Sequence, residues 1–524
     1  MGIYLNPDNE NFTQIARRKT YVDKTMMIAK INEIMDEKNK YVCMSRPRRF
    51  GKTIAGNMLA AYYSKGCDST ELFSKFKIAG DASFKEKLNK YNVIKIDMNS
   101  EYQNMADKSE LIRRINREIK KEVIEEFSNV GILEEDTLAQ AILRVYAKKK
   151  EKFVIIIDEY DILVRENFEA ELFNEYLGFL NGLFKSDTLS SAIALAYITG
   201  ILPVVRDKVQ SKLNNFDEYT ILDAGELSEF FGFTRDEVRN LCMEYDMDFE
   251  ECKRWYDGYD LDGCEIYNPE SVITSMTKKR FGNYWSRTSS YAAIADRIRE
   301  NFEGMREDVI RMLSGESVKV NVTRFMNTMD SFVTKSDVFT YLTYLGYLAF
   351  NIDDGTCYIP NREVRQEWLN AVEGDKNYKV TDNIIKKSEN LLGKTIAGDE
   401  EAVAKALDIS HIHVTSNRSY NNEDALQSAI YLAYIYALNE YTVFREVTAG
   451  KGFADVIYIP FVPDKPAMII ELKKDKTAES AIEQIKNKEY FAELEHYHGN
   501  LLFVGINYDE DRKTHSCKIE KFLK

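Results

Sequence analysis

Apolar residues gather in short unbroken runs across the first 225 positions. YVCMS (41–45), FVIIID (153–158) and AIALAYIT (192–199) lack the polar alternation of a half-exposed strand, and VIKIDM (93–98) is read with them. Runs of this length and continuity predict strands buried on both faces. Between them the period changes. ELIRRINREIKKEVIEEF (110–127) spaces its apolar residues three and four apart, as an amphipathic helix does. Strands alternating with helices imply an α/β architecture, a parallel sheet covered by helices on both sides.

Residues 226–375 are mostly helical in pattern. Within them, VFTYLTYLGYLAFNIDDGTCYIPNREV (338–364) reads as a helix, a hairpin turning at DDGT (353–356) and a second helix from about Asn361. That order is the one a winged-helix module would show. From 376 to 524 the pattern returns to α/β: a helix over roughly 422–439, two apolar strands, a helix over 477–494 and a final strand, NLLFVGINY (500–508). The expected domains are therefore 1–225, 226–375 and 376–524. No internal repeat or low-complexity tract interrupts them.

Composition narrows the class. The chain has 524 residues, 44% apolar and 30% charged, with only 8 prolines and 25 glycines, which suits several packed domains and few long linkers. Seven scattered cysteines form no C-x-x-C pair, and the first twenty residues hold no apolar stretch of signal-peptide length. The longest apolar stretch, 192–205, is too short to span a bilayer and is broken by Gly200 and Pro203. Reduced thiols, a cytoplasmic location and no membrane partner are the expectation. A net charge of −14 argues against a general nucleic-acid coating protein, although it permits a focused basic cleft.

The first candidate chemistry is SRPRRFGKT (45–53), between the strand 41–45 and the helical run TIAGNMLAAYYS (53–64). A loop in this position binds phosphate because free N–H groups at the helix start point at the anion. Gly51 permits close backbone approach, Lys52 can reach the β/γ-phosphates, and the Thr53 hydroxyl can face magnesium. Where the usual loop has its first glycine, this chain has Arg46. About a hundred residues later the run FVIIID ends in Asp158 and Glu159. After such a loop, the first carboxylate would hold magnesium and the second would orient or deprotonate the attacking water. The next strand ends at Thr199, a place for sensing the γ-phosphate. Arg46, Arg48, Arg49 and Arg206 are candidates for phosphate or partner contacts, and a solvated surface role is open for each.

YVDKT (21–25), SRPRRFGKT, IIIDEYD and YITGI (197–201), followed by FGFTRDEV (231–238), WYDGYDL (255–261), YNPESV (267–272) and YWSRTSS (284–290), together resemble the AAA-ATPase-like family of bacterial and archaeal proteins. That resemblance implies a P-loop ATPase domain that binds ATP with Mg²⁺. It also implies that the form RPRRFGK, arginine included, is a family feature of the loop.

A second constellation lies in GKGFADVIYIPFVPDKPAMIIELKK (450–474). If its two apolar runs form a hairpin centred near Pro463, Asp455 and Glu471 each sit eight positions from the centre and face one another. Lys473, two residues on, shares a face with Glu471. Two facing carboxylates repel unless a hard divalent cation joins them, and such an ion with a lysine beside it can activate water against a phosphodiester. E-x-K alone is common on surface strands. With its flanks, however, this order resembles the PD-(D/E)XK nuclease superfamily, which implies an α/β restriction-endonuclease-like domain. The same resemblance implies an added acidic ligand at Glu423 and a glutamine helix carrying Gln484, with Tyr490 after it. A carboxylate at a helix start also interacts favourably with the helix dipole, so Glu423 has a second reading.

The five histidines include two H-x-H pairs (411/413 and 496/498), for which solvated or packing roles are expected. The stripe YLAYIYAL (431–438) is expected in the core. The functional expectation is an ATP-binding and ATP-hydrolysing protein with a Mg²⁺- or Mn²⁺-dependent nuclease domain under nucleotide control. The alternative is a nucleotide-controlled switch or sensor whose C-terminal domain holds nucleic acid or protein without cutting. DNA or RNA as substrate, and assembly as a homo-oligomer, are both open at this point.

Overall fold

The computed structural model describes residues 2–165, 170–204, 213–285, 292–325, 332–373, 375–414, 423–449, 452–462, 465–488 and 500–522. Within these, only the backbone is described at 170, 380–381, 411–414, 423–426, 428, 445–449 and 452–454. The chain divides into two compact units, one of residues 1–289 and 319–364, the other of residues 290–318 and 365–524.

The first unit is built on a five-stranded parallel sheet. Its strands are β1 (Tyr41–Ser45), β2 (Asn92–Asp97), β3 (Phe153–Asp158), β4 (Ile193–Gly200) and β5 (Asp217–Tyr219), in the order β2-β3-β4-β1-β5. Every residue of β1, β3 and β4 is buried. The two-residue period of a strand sends Tyr41 and Cys43 into one core and Val42 and Met44 into another, on the opposite face. Ile155 and Ile157 join the first core, Val154 and Ile156 the second. The helix Leu111–Glu126 covers the first face with Leu111, Ile115, Ile119 and Val123, and the helix Lys52–Tyr63 covers the second with Met58 and Leu59. The predicted sheet covered on both sides is the one observed, with β5 added at its edge.

A small antiparallel sheet follows, of β6 (Phe233–Thr234), β7 (Tyr259–Leu261) and β8 (Cys264–Tyr267), ordered β6-β8-β7. After β9 (Val318–Lys319) comes the helix Lys335–Tyr344, then the hairpin of β10 (Ala349–Asn351) and β11 (Thr356–Tyr358), with Asn351 opposite Thr356. The next helix, Arg362–Val372, starts one residue after the expected Asn361.

The second unit holds a mixed five-stranded sheet, β12 (Tyr441–Ala449), β13 (Gly452–Pro460), β14 (Ala467–Lys474), β15 (Leu501–Asp509) and β16 (Thr514–Phe522), in sequential order. Only β14 and β15 run parallel, and the helix Ala478–Asn487 lies between them in sequence, since parallel neighbours need a crossover. Ile469, Ile482, Ile485 and Phe503 form the core beneath it. Gly505 of β15 admits that helix closely, for a side chain there would strike the Ala478 carbonyl. The expected last strand is followed by one more, β16, and β12 precedes the expected pair. Both escape the hydrophobic pattern: THSCKIEKF alternates polar and apolar residues as an edge does, and YTVFREVTA carries a charge at its centre.

Candidate functional site

Two sites emerge, one in each unit. In the first, the loop 46–51 joins β1 to the helix Lys52–Tyr63, whose N-cap, Gly51, has φ +91°. That left-handed conformation is free for glycine and strained for residues with a Cβ. The Lys52 ammonium folds onto its own loop, donating to the carbonyls of Arg46 (2.9 Å) and Pro47 (2.8 Å). Burial pulls it down to about 8, against the opposing pull of Asp158, Asp161 and Glu159. Thr53, the second residue of the helix, is exposed.

Sheet order brings the other residues alongside. β4 separates β1 from β3, and the register Ile157–Ile198 sets Asp158 beside Thr199. The Thr199 hydroxyl donates to Asp158 Oδ1, as does the Glu159 N–H at 3.1 Å. Glu159 itself stands at φ +51°. A cavity of about 440 Å³ opens over the loop, bordered by Arg48, Arg49, Gly51, Lys52, Thr53 and Glu159. That volume suits a small-molecule ligand of nucleotide size. Its apolar wall includes Tyr21, Val22, Met27, Met58, Phe230 and Phe233. YVDKT and FGFTRDEV were legible as motifs, but nothing in their composition said that they form this wall. Arg49 pairs across the cavity with Glu270 at 3.1 Å.

Arg46 has a different place from the expected phosphate contact. The Arg46 N–H donates to the Gly200 carbonyl (3.1 Å), so the β1 ladder runs one residue past Ser45. Arg46 therefore inherits the strand's alternation and falls on the face of Val42 and Met44. There it is wholly buried, its Nη1 donating to the carbonyls of Ser45 (2.9 Å) and Tyr219 (3.0 Å), with Phe231 under the guanidinium at 5.5 Å. Burial lowers its pKa to about 10, which still leaves it charged at neutral pH. It ties β1 to β5. Arg206 lies outside the described residues.

In the second site, β13 and β14 pair antiparallel with Val456 opposite Ile470 and Tyr458 opposite Met468. That register is centred on position 463, so the next pair outward is Asp455 and Glu471. Asp455 Oδ2 accepts the Leu472 N–H at 2.6 Å. Glu471 is 2% exposed, and its Oε1 accepts from Lys473 Nζ (2.7 Å) and from Gln484 Nε2 of the helix Ala478–Asn487. Burial first, and the Asp455 charge second, push the Glu471 carboxyl up to about 7, with Lys473 working the other way. Glu471 Oε2 is buried with no hydrogen-bond partner among the described residues.

An orphaned carboxylate oxygen facing a second carboxylate fits a hard cation, which accepts oxygen donors of this kind. Among the described residues no group of three or more His, Cys, Asp or Glu side chains gathers as a metal cage. Glu423 begins the helix Glu423–Ala433, but its side chain lies outside those described. One turn on, Gln427 Nε2 reaches Asp455 Oδ1 at 3.5 Å, and the Tyr431 hydroxyl donates to the Asp455 carbonyl at 3.1 Å. Gln427 carried no signal in the sequence, being one amide in a helix. Tyr490, His496 and His498 lie outside the described residues, as do the side chains of His411 and His413. His515 packs on β16, with its Nδ1 2.8 Å from Asp408.

Residues 9–210 match the model of a family described as predicted AAA-ATPase, and residues 421–517 match that of the PD-(D/E)XK nuclease superfamily. A protein described as "Uncharacterized protein in vnfD 5'region", from Azotobacter chroococcum mcd 1, is 24% identical over 291 residues, covering 53% of this chain and 52% of that protein. The match thus spans about half the length of that curated relative. Among solved structures, AMPPCP-bound DnaA from Aquifex aeolicus is 10% identical, with 59% of this chain and 73% of that chain covered at a TM-score of 0.21. PCH-2 of C. elegans is 14% identical, with 64% and 68% covered, also at 0.21. Superpositions this loose bear on neither activity nor partners. Among the described residues no helix is long and apolar enough to cross a membrane. This chain joins an AAA-ATPase-like domain, matched over residues 9–210, to a PD-(D/E)XK nuclease superfamily domain, matched over residues 421–517.

Proposed function

We propose that the protein binds and hydrolyses ATP in the first unit and cleaves a nucleic-acid phosphodiester in the second, with the nucleotide state controlling cleavage. The observation that carries this reading is the buried Glu471, bonded by Lys473 and Gln484 and opposite Asp455 in the hairpin register, within the stretch that matches a nuclease superfamily.

In the first unit, Gly51 and the N–H groups that follow it would cradle the phosphates, and Lys52 would exchange its two loop carbonyls for phosphate oxygens. Thr53 and Asp158 would hold Mg²⁺. Glu159 would take a proton from water as its oxygen bonds to the γ-phosphorus and the bond to the β-phosphate oxygen breaks. The apolar wall at Tyr21, Val22 and Phe233 would receive the base. In the second unit, Asp455 and Glu471, with Glu423, would hold Mg²⁺ or Mn²⁺. Such an ion supplies a Lewis acid and lowers the pKa of water. Lys473 would leave Glu471 to assist the attacking water, and Gln484 would keep the Glu471 carboxylate in place.

The test is cleavage of labelled DNA and RNA by the purified protein with magnesium or manganese, with and without ATP, beside Lys52→Ala and Glu471→Ala proteins. Cleavage lost with Glu471→Ala, and responsive to ATP only when Lys52 is present, is the expected result. ATP hydrolysis without cleavage of any substrate would replace this reading with the switch that binds and does not cut.

A further inference from the structure

Glu159 is held by more than its own strand. Its Oε2 accepts from Arg165 Nη2 at 2.8 Å, and the same guanidinium reaches Asp161 Oδ2 through Nε at 3.1 Å. Arg165 and Asp161 are 5% and 1% exposed in their side chains. Asp161 is in turn anchored by backbone: its Oδ2 accepts the N–H groups of Ile201 (3.0 Å) and Leu202 (2.9 Å), in the turn that leaves β4. Gly200 leaves room for this anchor, since a Cβ at that position would press on Asp161 Oδ1 at 2.7 Å. A chain of contacts thus runs from the end of β4, just past Thr199, through Asp161 and Arg165 to a carboxylate that borders the cavity.

The backbone at Glu159 adds a second observation. At φ +51° it occupies the left-handed region, which is uncommon for a side chain of this size and persists only where its surroundings determine it. A planar guanidinium with donors in a fixed fork suits a bridge between two carboxylates, one rigid and one to be aimed.

From this geometry we infer that Arg165, held by Asp161, is a positioning residue for Glu159. It takes one carboxylate oxygen and leaves the other for the cavity. This rests on the reading of Glu159 as the hydrolytic base. Phosphoryl transfer depends chiefly on positioning and charge, so a base aimed in this way gains more than it loses by pairing with a cation. Because the anchor lies beside Thr199, a shift of the turn after β4 would be transmitted to Glu159 through two side chains.

The experiment is ATP hydrolysis under single turnover by wild type, Arg165→Met, Arg165→Lys, Glu159→Gln and the Glu159→Gln/Arg165→Met double variant. Nucleotide affinity is measured on each with a fluorescent ATP analogue. A misplaced group of this kind costs up to about 10²-fold in rate. Arg165→Met should therefore lower the hydrolysis rate about 10- to 100-fold while affinity stays within about threefold. Arg165→Lys should recover part of the rate. In the Glu159→Gln background Arg165→Met should change nothing further, because its effect passes through the group already removed. An equal loss in both backgrounds, or no loss in wild type, overturns the inference. If Arg165→Met fails to fold, Arg165→Lys carries the same comparison, with a smaller loss that must also vanish beside Glu159→Gln. Wild type that hydrolyses no ATP overturns the base assignment together with this inference. Wild-type hydrolysis indifferent to Arg165 overturns the inference alone.

Discussion

The two sites use the same residue types to opposite ends. At the phosphate loop the lysine is buried against neutral carbonyls, three arginines (Arg18, Arg48 and Arg49) border the cavity, and the nearest carboxylates are already engaged: Asp158 by Thr199, Glu159 by Arg165. The space left over is short of negative charge and edged with N–H groups, as a polyanion requires. At the β13–β14 hairpin the lysine is bound to Glu471, and one buried oxygen of that carboxylate has no donor among the described residues. The space there is short of positive charge. What a lysine touches, more than its presence, separates a receptor for an anion from a receptor for a cation.

The largest expected effect breaks the first half of that comparison. Lys52→Ala should lower ATP hydrolysis about 10³-fold, measured by phosphate release, since a cation on the transferred phosphate contributes on that scale. A rate within threefold of wild type would remove Lys52 from the phosphate site. Asp455→Asn tests the second half. It keeps shape and removes charge, and should cost cleavage about 10²- to 10³-fold while ATP hydrolysis is unchanged. Persisting cleavage would detach the hairpin from the chemistry.

Arg46 sharpens the boundary between site and scaffold. Arg46→Met should destabilise the protein by about 1–3 kcal/mol in thermal or urea unfolding, because the Ser45 and Tyr219 carbonyls lose their buried donor. Nucleotide affinity should stay within threefold, and a large loss of affinity in a fully stable variant would return Arg46 to the phosphates.

A smaller effect concerns pH. The Glu471 carboxyl rises from its ordinary 4.5 to about 7 in the folded protein, first through burial and then through Asp455. Between those values the folded state binds more protons than the unfolded one, so stability falls as pH rises. In chelator-treated protein the C-terminal transition should weaken from pH 4.5 towards 7 and then level off, and Glu471→Gln should flatten that slope. Divalent cation added near neutral pH should release protons and restore the lost stability. The smallest expected change is Glu270→Gln. Freeing Arg49 from its half-exposed pair should tighten ATP binding only a few-fold, in keeping with the modest strength of such pairs.

Much of this was legible in the residues. The strands β1 to β4, the loop GKT and the carboxylates ending β3 follow from local pattern, although β2 proved to be an edge strand with Lys95 and Asp97 half-buried, and the centre of the 455/471 hairpin followed from counting. Other parts were not legible. Gln427, Asp161 and Arg165 carry no spacing signature, because each acquires its role from a partner brought in by another element or from the turn after β4. Strands β5, β12 and β16 were hidden for a different reason. They are short, charged or alternating, and their strand character comes from the neighbour whose hydrogen bonds they complete. The interleaving of 290–318 with 319–364 between the two units has no local trace either.

The sequence by itself determined which segments must be buried, where a phosphate loop could form and which carboxylates could share an ion, because periodicity and turn chemistry act over a few residues. Only the tertiary structure decided that Arg46 turns inward to brace β1, that Thr199 stands beside Asp158 and that Glu159 is tied to the end of β4. Those outcomes depend on strand order and on burial, which set side chains against partners 41 residues away for Asp158 and Thr199 and 173 away for Arg46 and Tyr219, and they are written in no single stretch of the chain.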